Sequence, residues 1–115
     1  MGGIGSSISE GYVEAVGSNG QWGGVCDHYF DDNDASVVCQ MLGFPSGVAV
    51  DAYSLYGTAP SGNNIILDDL HCTGNELSIF ECPHRGEWVD NCYASHIAGV
   101  QCTSGKMIPI ETNSY

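Results

Sequence analysis

Basic residues are nearly absent from this chain of 115 residues. Arg85 and Lys106 face fourteen Asp and Glu side chains, so the formal net charge is −12. Direct binding to a nucleic-acid backbone or to an anionic membrane surface needs clustered Lys and Arg, and the composition therefore excludes both. Divalent cations and basic proteins are the natural partners of such a surface, and a polyanionic ligand would have to be reached through bound cations.

Long hydrophobic runs and catalytic motifs are also missing. The longest apolar runs extend over only a few residues, as at 65–67, so no membrane-spanning helix is predicted. Neither Gly-x-Ser-x-Gly nor His-Glu-x-x-His occurs, and the four histidines, at positions 28, 71, 84 and 96, are scattered along the chain. We therefore predict that the protein is not an enzyme.

Six cysteines in one small domain indicate covalent cross-linking. A chain of this size buries too little apolar surface to be comfortably stable, and an even number of cysteines suits disulfides formed in an oxidising compartment. Zinc binding would favour pairs such as Cys-x-x-Cys, whereas nine residues separate the nearest two cysteines here. We therefore predict an extracellular protein, either secreted or the ectodomain of a membrane receptor. The residues alone leave the disulfide pairing open.

The stretch at 21–44 organises the predicted fold. Strands at 12–16 and 21–26 flank a Gly-Ser-Asn-Gly turn and predict a hairpin, with the indole of Trp22 packed where the adjacent glycines let the backbone pass closely. Acidic capping residues then lead into a main helix at about 31–42. Its buried face follows from the spacing of four residues, Ala35, Val38, Cys39 and Leu42.

The rest of the chain predicts shorter elements. Strands are expected at 48–50, 65–67 and 98–102, with a short second helix at about 75–82 and a loop from 51 to 64. One domain at 8–103 would carry a Gly- and Ser-rich lead-in at 1–7 and a C-terminal tail at 104–115.

Several segments together resemble one known family. Gln-Trp-Gly precedes the first cysteine, Asn-Asp-Ala opens a helix that ends in Leu-Gly, Leu-Asp-Asp precedes Cys-Thr-Gly-Asn-Glu, and Ala-Gly-Val-Gln-Cys closes the domain. This order resembles the scavenger receptor cysteine-rich (SRCR) domain of the six-cysteine type, group A. The resemblance implies a compact α+β fold in which a curved antiparallel sheet cradles the main helix. It also implies three disulfides, Cys26–Cys92, Cys39–Cys102 and Cys72–Cys82.

The resemblance implies a first acidic cation site just after the first cysteine. Family members have Cys-Asp-Asp there and a Glu shortly before the closing Ala-Gly-Val. Asp27 matches the first Asp, but His28 stands at the second and His96 stands at the Glu. This set therefore favours a transition metal over Ca²⁺, unless Asp27 only forms hydrogen bonds within the turn.

A second family cation site is matched in full by Asp68, Asp69 and Asn91. Hard cations take several carboxylate and carbonyl oxygens from converging loops, so we predict that Ca²⁺ binds at these three residues. The alternative is that one aspartate caps the turn while the other is solvated.

Arg85 and Trp88 share one loop and are the predicted ligand-contacting residues. The alternatives are an ion pair with a nearby carboxylate for Arg85 and buried packing for Trp88. The resemblance implies a ligand-binding module of a scavenger or innate-immune receptor, or of a secreted recognition protein, that binds microbial or polyanionic ligands through a cation. Two alternatives stay open: a protein–protein adhesion module that uses the acidic surface, and an accessory domain of an extracellular enzyme.

Overall fold

The computed structural model describes residues 10–103, so the predicted lead-in at 1–7 and tail at 104–115 lie outside the described residues. The strands are β1 (Glu10–Tyr12), β2 (Glu14–Val16), β3 (Trp22–Val25), β4 (Gly47–Val50), β5 (Ile65–Leu67) and β6 (Gly99–Cys102). The α-helices are α1 (Asp32–Met41) and α2 (Ala52–Tyr56), and single 3₁₀ turns occupy Ile79–Glu81 and Ala94–His96. Between residues 10 and 103, neither α-helix is long and apolar enough to cross a membrane.

The described strands form two three-stranded sheets, and Val13 alone separates β1 of the first sheet from β2 of the second. The first has the order β1–β6–β4 and is antiparallel throughout, while the second has the order β2–β3–β5. β2 and β3 form the predicted hairpin, but β3 and β5 are parallel. Parallel neighbours need a long crossover connection, and here α1, β4 and α2 provide it. The predicted curved antiparallel sheet is therefore two sheets, one of which has a parallel pair.

Helix α1 begins with a reciprocal capping box. The Asp31 side chain accepts hydrogen bonds from the backbone N–H groups of Asn33 and Asp34, and the Asp34 side chain accepts one from Asp31. Ala35, Val38 and Cys39 are fully buried and Leu42 packs partly buried against the core, which confirms the predicted apolar face. The helix packs mainly against β4 and β6, and the main buried cluster extends from α1 to residues of both sheets.

The three disulfides confirm the pairing that the resemblance implied. Cys26–Cys92 and Cys39–Cys102 join residues 66 and 63 positions apart, whereas Cys72–Cys82 closes a separation of only 10. The first ties the acidic turn after β3 to the loop before Ala94–His96, and the second ties α1 to β6. No cysteine between residues 10 and 103 is free.

The predicted second helix at 75–82 is a single 3₁₀ turn at Ile79–Glu81. The carboxylate of Glu76 accepts hydrogen bonds from the backbone N–H groups of Thr73 and Gly74, and the Ser78 side chain accepts one from Phe80. These local bonds offer the backbone an alternative to a longer helix. Conversely, the predicted loop after Val50 contains α2, which Asp51 caps by accepting the N–H of Ser54.

Trp22 does not pack as predicted. Its side chain is 47% exposed at the first position of β3, whereas the three residues that follow it in the strand are buried. The indole that packs against a glycine of β3 belongs to Trp88: a Cβ added at Gly23 would lie 2.8 Å from the Trp88 ring, whereas one added at Gly24 would lie 2.9 Å from Ile97. Gly23 therefore serves the packing of a distant tryptophan.

Candidate cation and ligand site

The buried carboxylate of Asp68 is the centre of the candidate site. Asp68 follows β5 directly and has no exposed surface. Its Oδ1 accepts the backbone N–H of Asp69 at 2.8 Å, and its Oδ2 accepts that of Asn91 at 3.0 Å. The carbonyl oxygen of Asp68 also accepts the N–H of Arg85 at 3.2 Å. One aspartate thus connects the end of β5 to both ends of the loop at 85–91.

Two basic side chains flank the same carboxylate. His28 Nδ1 lies 3.2 Å from Asp68 Oδ1, and Arg85 Nη1 lies 3.7 Å from Asp68 Oδ2. A buried carboxylate is costly unless it is paired and hydrogen-bonded, and these four partners meet that requirement. The carboxylate is held in one orientation as a result.

Asp69 presents the second carboxylate at the surface. Its side chain is 30% exposed, and its Oδ2 lies 3.5 Å from Arg85 Nε. Arg85 therefore bridges the two neighbouring aspartates through different nitrogen atoms, which confirms an ion pair as its local environment. About 39% of the Arg85 side chain stays accessible to solvent, and its contact with a ligand stays a prediction.

A surface cleft of about 420 Å³ opens over these residues. It is lined by His28, Tyr29, Asp69 and Asn91. Asp69 and Asn91, two of the three residues predicted to bind Ca²⁺, thus meet in one concavity, and the third, Asp68, lies directly beneath them. Whether the three hold a cation stays a prediction.

The residues of the first predicted cation set also lie together. His96 Nδ1 is 3.6 Å from Asp27 Oδ1, and the rings of His28 and His96 are 5.9 Å apart between centroids. Burial raises the pKa of Asp27, and the neighbouring His96 and His28 oppose that rise. His28 connects the two sets, because it contacts Asp68 of the second set on one side and approaches His96 on the other.

Backbone strain is concentrated around the cleft. Among residues 10–103, the non-glycine residues with positive φ are Tyr29 (63°), Asp69 (56°) and Trp88 (66°). Tyr29 and Asp69 line the cleft. Trp88 belongs to the loop at 85–91, in which the backbone N–H of Asn91 donates a hydrogen bond to Asp68. Such conformations cost free energy, and they persist where the surrounding contacts hold them, often at functional sites.

Trp88 shows the buried packing that was the alternative to ligand contact, whereas Tyr29 lines the cleft although it was not predicted to do so. Trp88 is partly buried against the core, and its Nε1 is buried without a hydrogen-bond partner among the described residues. Tyr29 was not predicted, yet it is 71% exposed, lines the cleft, and lies against His71 with ring centroids 5.1 Å apart. Its position directly after Asp27 and His28 is the signal that could have identified it.

Three groups of side chains in the described part of the chain bring potential metal-ligand atoms within 4.8 Å of one another. Two of them depend on Cys26 with Cys92 or on Cys72 with Cys82, and these sulfurs are in disulfides and supply no thiolate. The remaining group is His28, Asp68 and Asp69. The capacity to hold a metal therefore centres on the cleft.

The fold and the site define a small, disulfide-stabilised α+β domain with an acidic surface cleft. Residues 4–103 match the family model of the scavenger receptor cysteine-rich domain, and the chain therefore belongs to the SRCR family. Domains of this family are generally extracellular recognition modules of receptors rather than enzymes.

Individual relatives agree with this assignment. A Scavenger receptor cysteine-rich domain superfamily protein of Patiria pectinifera is 46% identical over 103 residues, which are 90% of this chain but only 9% of that protein. The SRCR domain of mouse MARCO, solved in a dimeric form, has a TM-score of 0.73 at 37% identity and covers 87% of this chain and 92% of its own. The third SRCR domain of murine neurotrypsin has a TM-score of 0.68 at 36% identity, over 85% and 89% of the two chains.

Proposed function

We propose that this domain is an extracellular ligand-binding module of a scavenger or innate-immune receptor, or of a secreted recognition protein, and that it binds its ligand through a divalent cation. The observation that carries the proposal is the meeting of Asp68, Asp69 and Asn91 at one cleft of about 420 Å³. Carboxylate and amide oxygens are the ligands that Ca²⁺ takes from proteins.

The charge of the protein supports a role for the cation. With a net charge of −12, the domain repels a polyanion such as a microbial surface polysaccharide or lipopolysaccharide unless positive charge is supplied at the contact. Arg85 contributes one such charge, but both of its ion-pair contacts are to Asp68 and Asp69. A divalent cation at the cleft would add the positive charge that a phosphate or carboxylate of the ligand requires.

A protein–protein adhesion module is the second candidate, and the exposed aromatic and aliphatic residues favour it. Tyr29, Tyr53, Leu55 and Tyr93 are between 49% and 71% exposed, and aromatic side chains are enriched at protein interfaces. An acidic surface would steer a basic partner toward them. A role as an accessory domain of an extracellular enzyme depends on neighbouring domains, since this chain spans only 9% of the length of the Patiria relative.

The experiment is a pull-down of the domain on whole bacteria and on immobilised lipopolysaccharide, with Ca²⁺ and with a chelator. We expect chelator to abolish binding, and we expect Asp69→Asn to abolish it in the presence of Ca²⁺. Glu81→Gln is the matched control, because it removes the same charge from an exposed residue that does not line the cleft and retains an acceptor for the Leu77 N–H. Binding that survives chelator, is lost in high salt and is directed to a basic protein would contradict the cation model and support adhesion.

A further inference from the structure

We propose that the cleft selects a transition-metal ion of the Zn²⁺ class, held by His28 Nδ1 together with one carboxylate oxygen each from Asp68 and Asp69. The inference rests on the proposed cation-dependent function and specifies which cation serves it. It differs from a site made of oxygen ligands alone, because a nitrogen ligand enters from the turn after β3.

The distances suit one metal ion. The three ligand atoms lie within 4.8 Å of one another, and His28 Nδ1 is 3.2 Å from Asp68 Oδ1. Two ligand atoms on the same tetrahedral Zn²⁺ are about 3.4 Å apart, given metal–ligand bonds of about 2.1 Å. The His28–Asp68 pair therefore already has the required spacing, and Asp69, whose side chain is partly exposed, can complete the set by a small movement.

The chemistry of the donors favours this class of metal. Ca²⁺ takes six to eight oxygen ligands, whereas an imidazole with two carboxylates is a set that Zn²⁺ and its neighbours in the transition series bind well. Three protein ligands leave one position of a tetrahedral ion open. That position would face the cleft lined by Tyr29 and Asn91, where a carboxylate or phosphate oxygen of a ligand could occupy it.

The surroundings hold the ligands in place without a metal. The N–H groups of Asp69 and Asn91 fix the Asp68 carboxylate, and Arg85 contacts Oδ2 of both aspartates. Hydrogen bonds of this kind to metal-binding carboxylates orient them and commonly influence affinity. Arg85 also offsets one of the two negative charges, so the site avoids the full repulsion of two neighbouring carboxylates before metal binds.

The test is isothermal titration of chelator-treated protein with ZnCl₂ and, separately, with CaCl₂, combined with NMR spectra of the histidine ring nitrogens. We expect one Zn²⁺ per domain, bound more tightly than Ca²⁺, and a shift of the His28 Nδ1 resonance. His28→Ala should weaken Zn²⁺ binding by more than about tenfold, since loss of even an outer-shell partner often costs that much. His28→Asp should weaken Zn²⁺ and strengthen Ca²⁺, because it replaces the nitrogen ligand with an oxygen ligand.

His96→Ala is the matched control for the loss of an imidazole. His96 lies beside His28 and pairs with Asp27, but it is outside the proposed ligand set. Unchanged Zn²⁺ affinity in His96→Ala is expected, and a loss equal to that of His28→Ala would overturn the ligand set in favour of one built on Asp27. Thermal unfolding of each variant without metal separates loss of binding from loss of folding.

The outcomes separate this inference from the proposed function. Ca²⁺ binding that depends on Asp69, together with no Zn²⁺ binding or with Zn²⁺ affinity unaffected by His28→Ala, overturns the selectivity and leaves the cation-dependent function standing. Absence of binding by both metals overturns both proposals.

Discussion

The buried aspartate of the α1 capping box should make the stability of the domain depend on pH. Asp34 has no exposed surface, and its carboxylate accepts the N–H of Asp31 at 2.8 Å and that of Cys72 at 2.6 Å. Burial raises the pKa of Asp34 to about 6, and the negative charge of Asp31 adds to the rise, while the backbone hydrogen bonds oppose it. The folded protein therefore holds a proton on Asp34 over a pH range in which the unfolded chain has released it.

The sign and size of the effect follow from this difference. Because the folded-state pKa of Asp34 lies above the value of 3.8 for a free aspartate, the contribution of Asp34 to the free energy of unfolding is greatest below pH 4 and falls as pH rises from about 4 to about 6. The difference between the folded and unfolded pKa values of Asp34 corresponds to at most about 3 kcal/mol of unfolding free energy. Urea unfolding at intervals between pH 4 and pH 6.5, with the disulfides intact, measures the slope.

The variant Asp34→Asn isolates the contribution of this carboxyl group. It keeps one carbonyl acceptor and removes the titration, so the decline in unfolding free energy between pH 4 and pH 6.5 should be smaller than in the wild type. Ile79→Val is the control, since deletion of one buried methylene costs about 1 kcal/mol at every pH and leaves the slope unchanged. Parallel pH profiles for the wild type and Asp34→Asn would refute the reasoning.

Two further predictions concern stability. Replacing both cysteines of Cys39–Cys102 with serine should lower the free energy of unfolding by about 4 kcal/mol, and the same change in Cys72–Cys82 should lower it by about 3 kcal/mol. The first loss is larger because that disulfide joins residues 63 positions apart, whereas the second joins residues 10 apart. Equal losses in urea unfolding would contradict the loop-length argument. Gly23→Ala should cost about 1–3 kcal/mol, because its Cβ would lie 2.8 Å from the Trp88 ring and 3.1 Å from the Asn64 carbonyl. An unchanged melting temperature in Gly23→Ala would show that this contact is not tight.

The sequence correctly predicted the helices and strands whose signals lie within a few neighbouring residues. The hairpin followed from its turn, and α1 followed from its capping acids and the spacing of Ala35, Val38 and Cys39. The disulfide pairing came from the family resemblance, since spacing alone left it open. Helix α2 was missed because five residues are too few to show a helical period, and Asp51 was its one clear signal.

The sequence identified residues of the candidate site, but it did not predict which of their side chains contact one another. Asp68, Asp69 and Asn91 were identified from family positions, whereas the 3.2 Å contact between His28 and Asp68 joins residues forty positions apart through the parallel pairing of β3 with β5. The wrong prediction that Trp22 packs against the glycines has the same origin. Gly23 identified a site of close packing, but only the tertiary fold determines that the Trp88 indole, and not that of Trp22, fills it.

The most direct test of the account is whether a divalent cation binds at Asp68. The backbone N–H groups of Asp69 and Asn91 both donate to this carboxylate, so their amide resonances report on it without a mutation. Titrating chelator-treated protein with Ca²⁺ or with Zn²⁺ should move both amide signals saturably in ¹H–¹⁵N spectra, with smaller changes at Glu81. Spectra in which neither ion moves the signals of Asp69 and Asn91 would contradict the central claim.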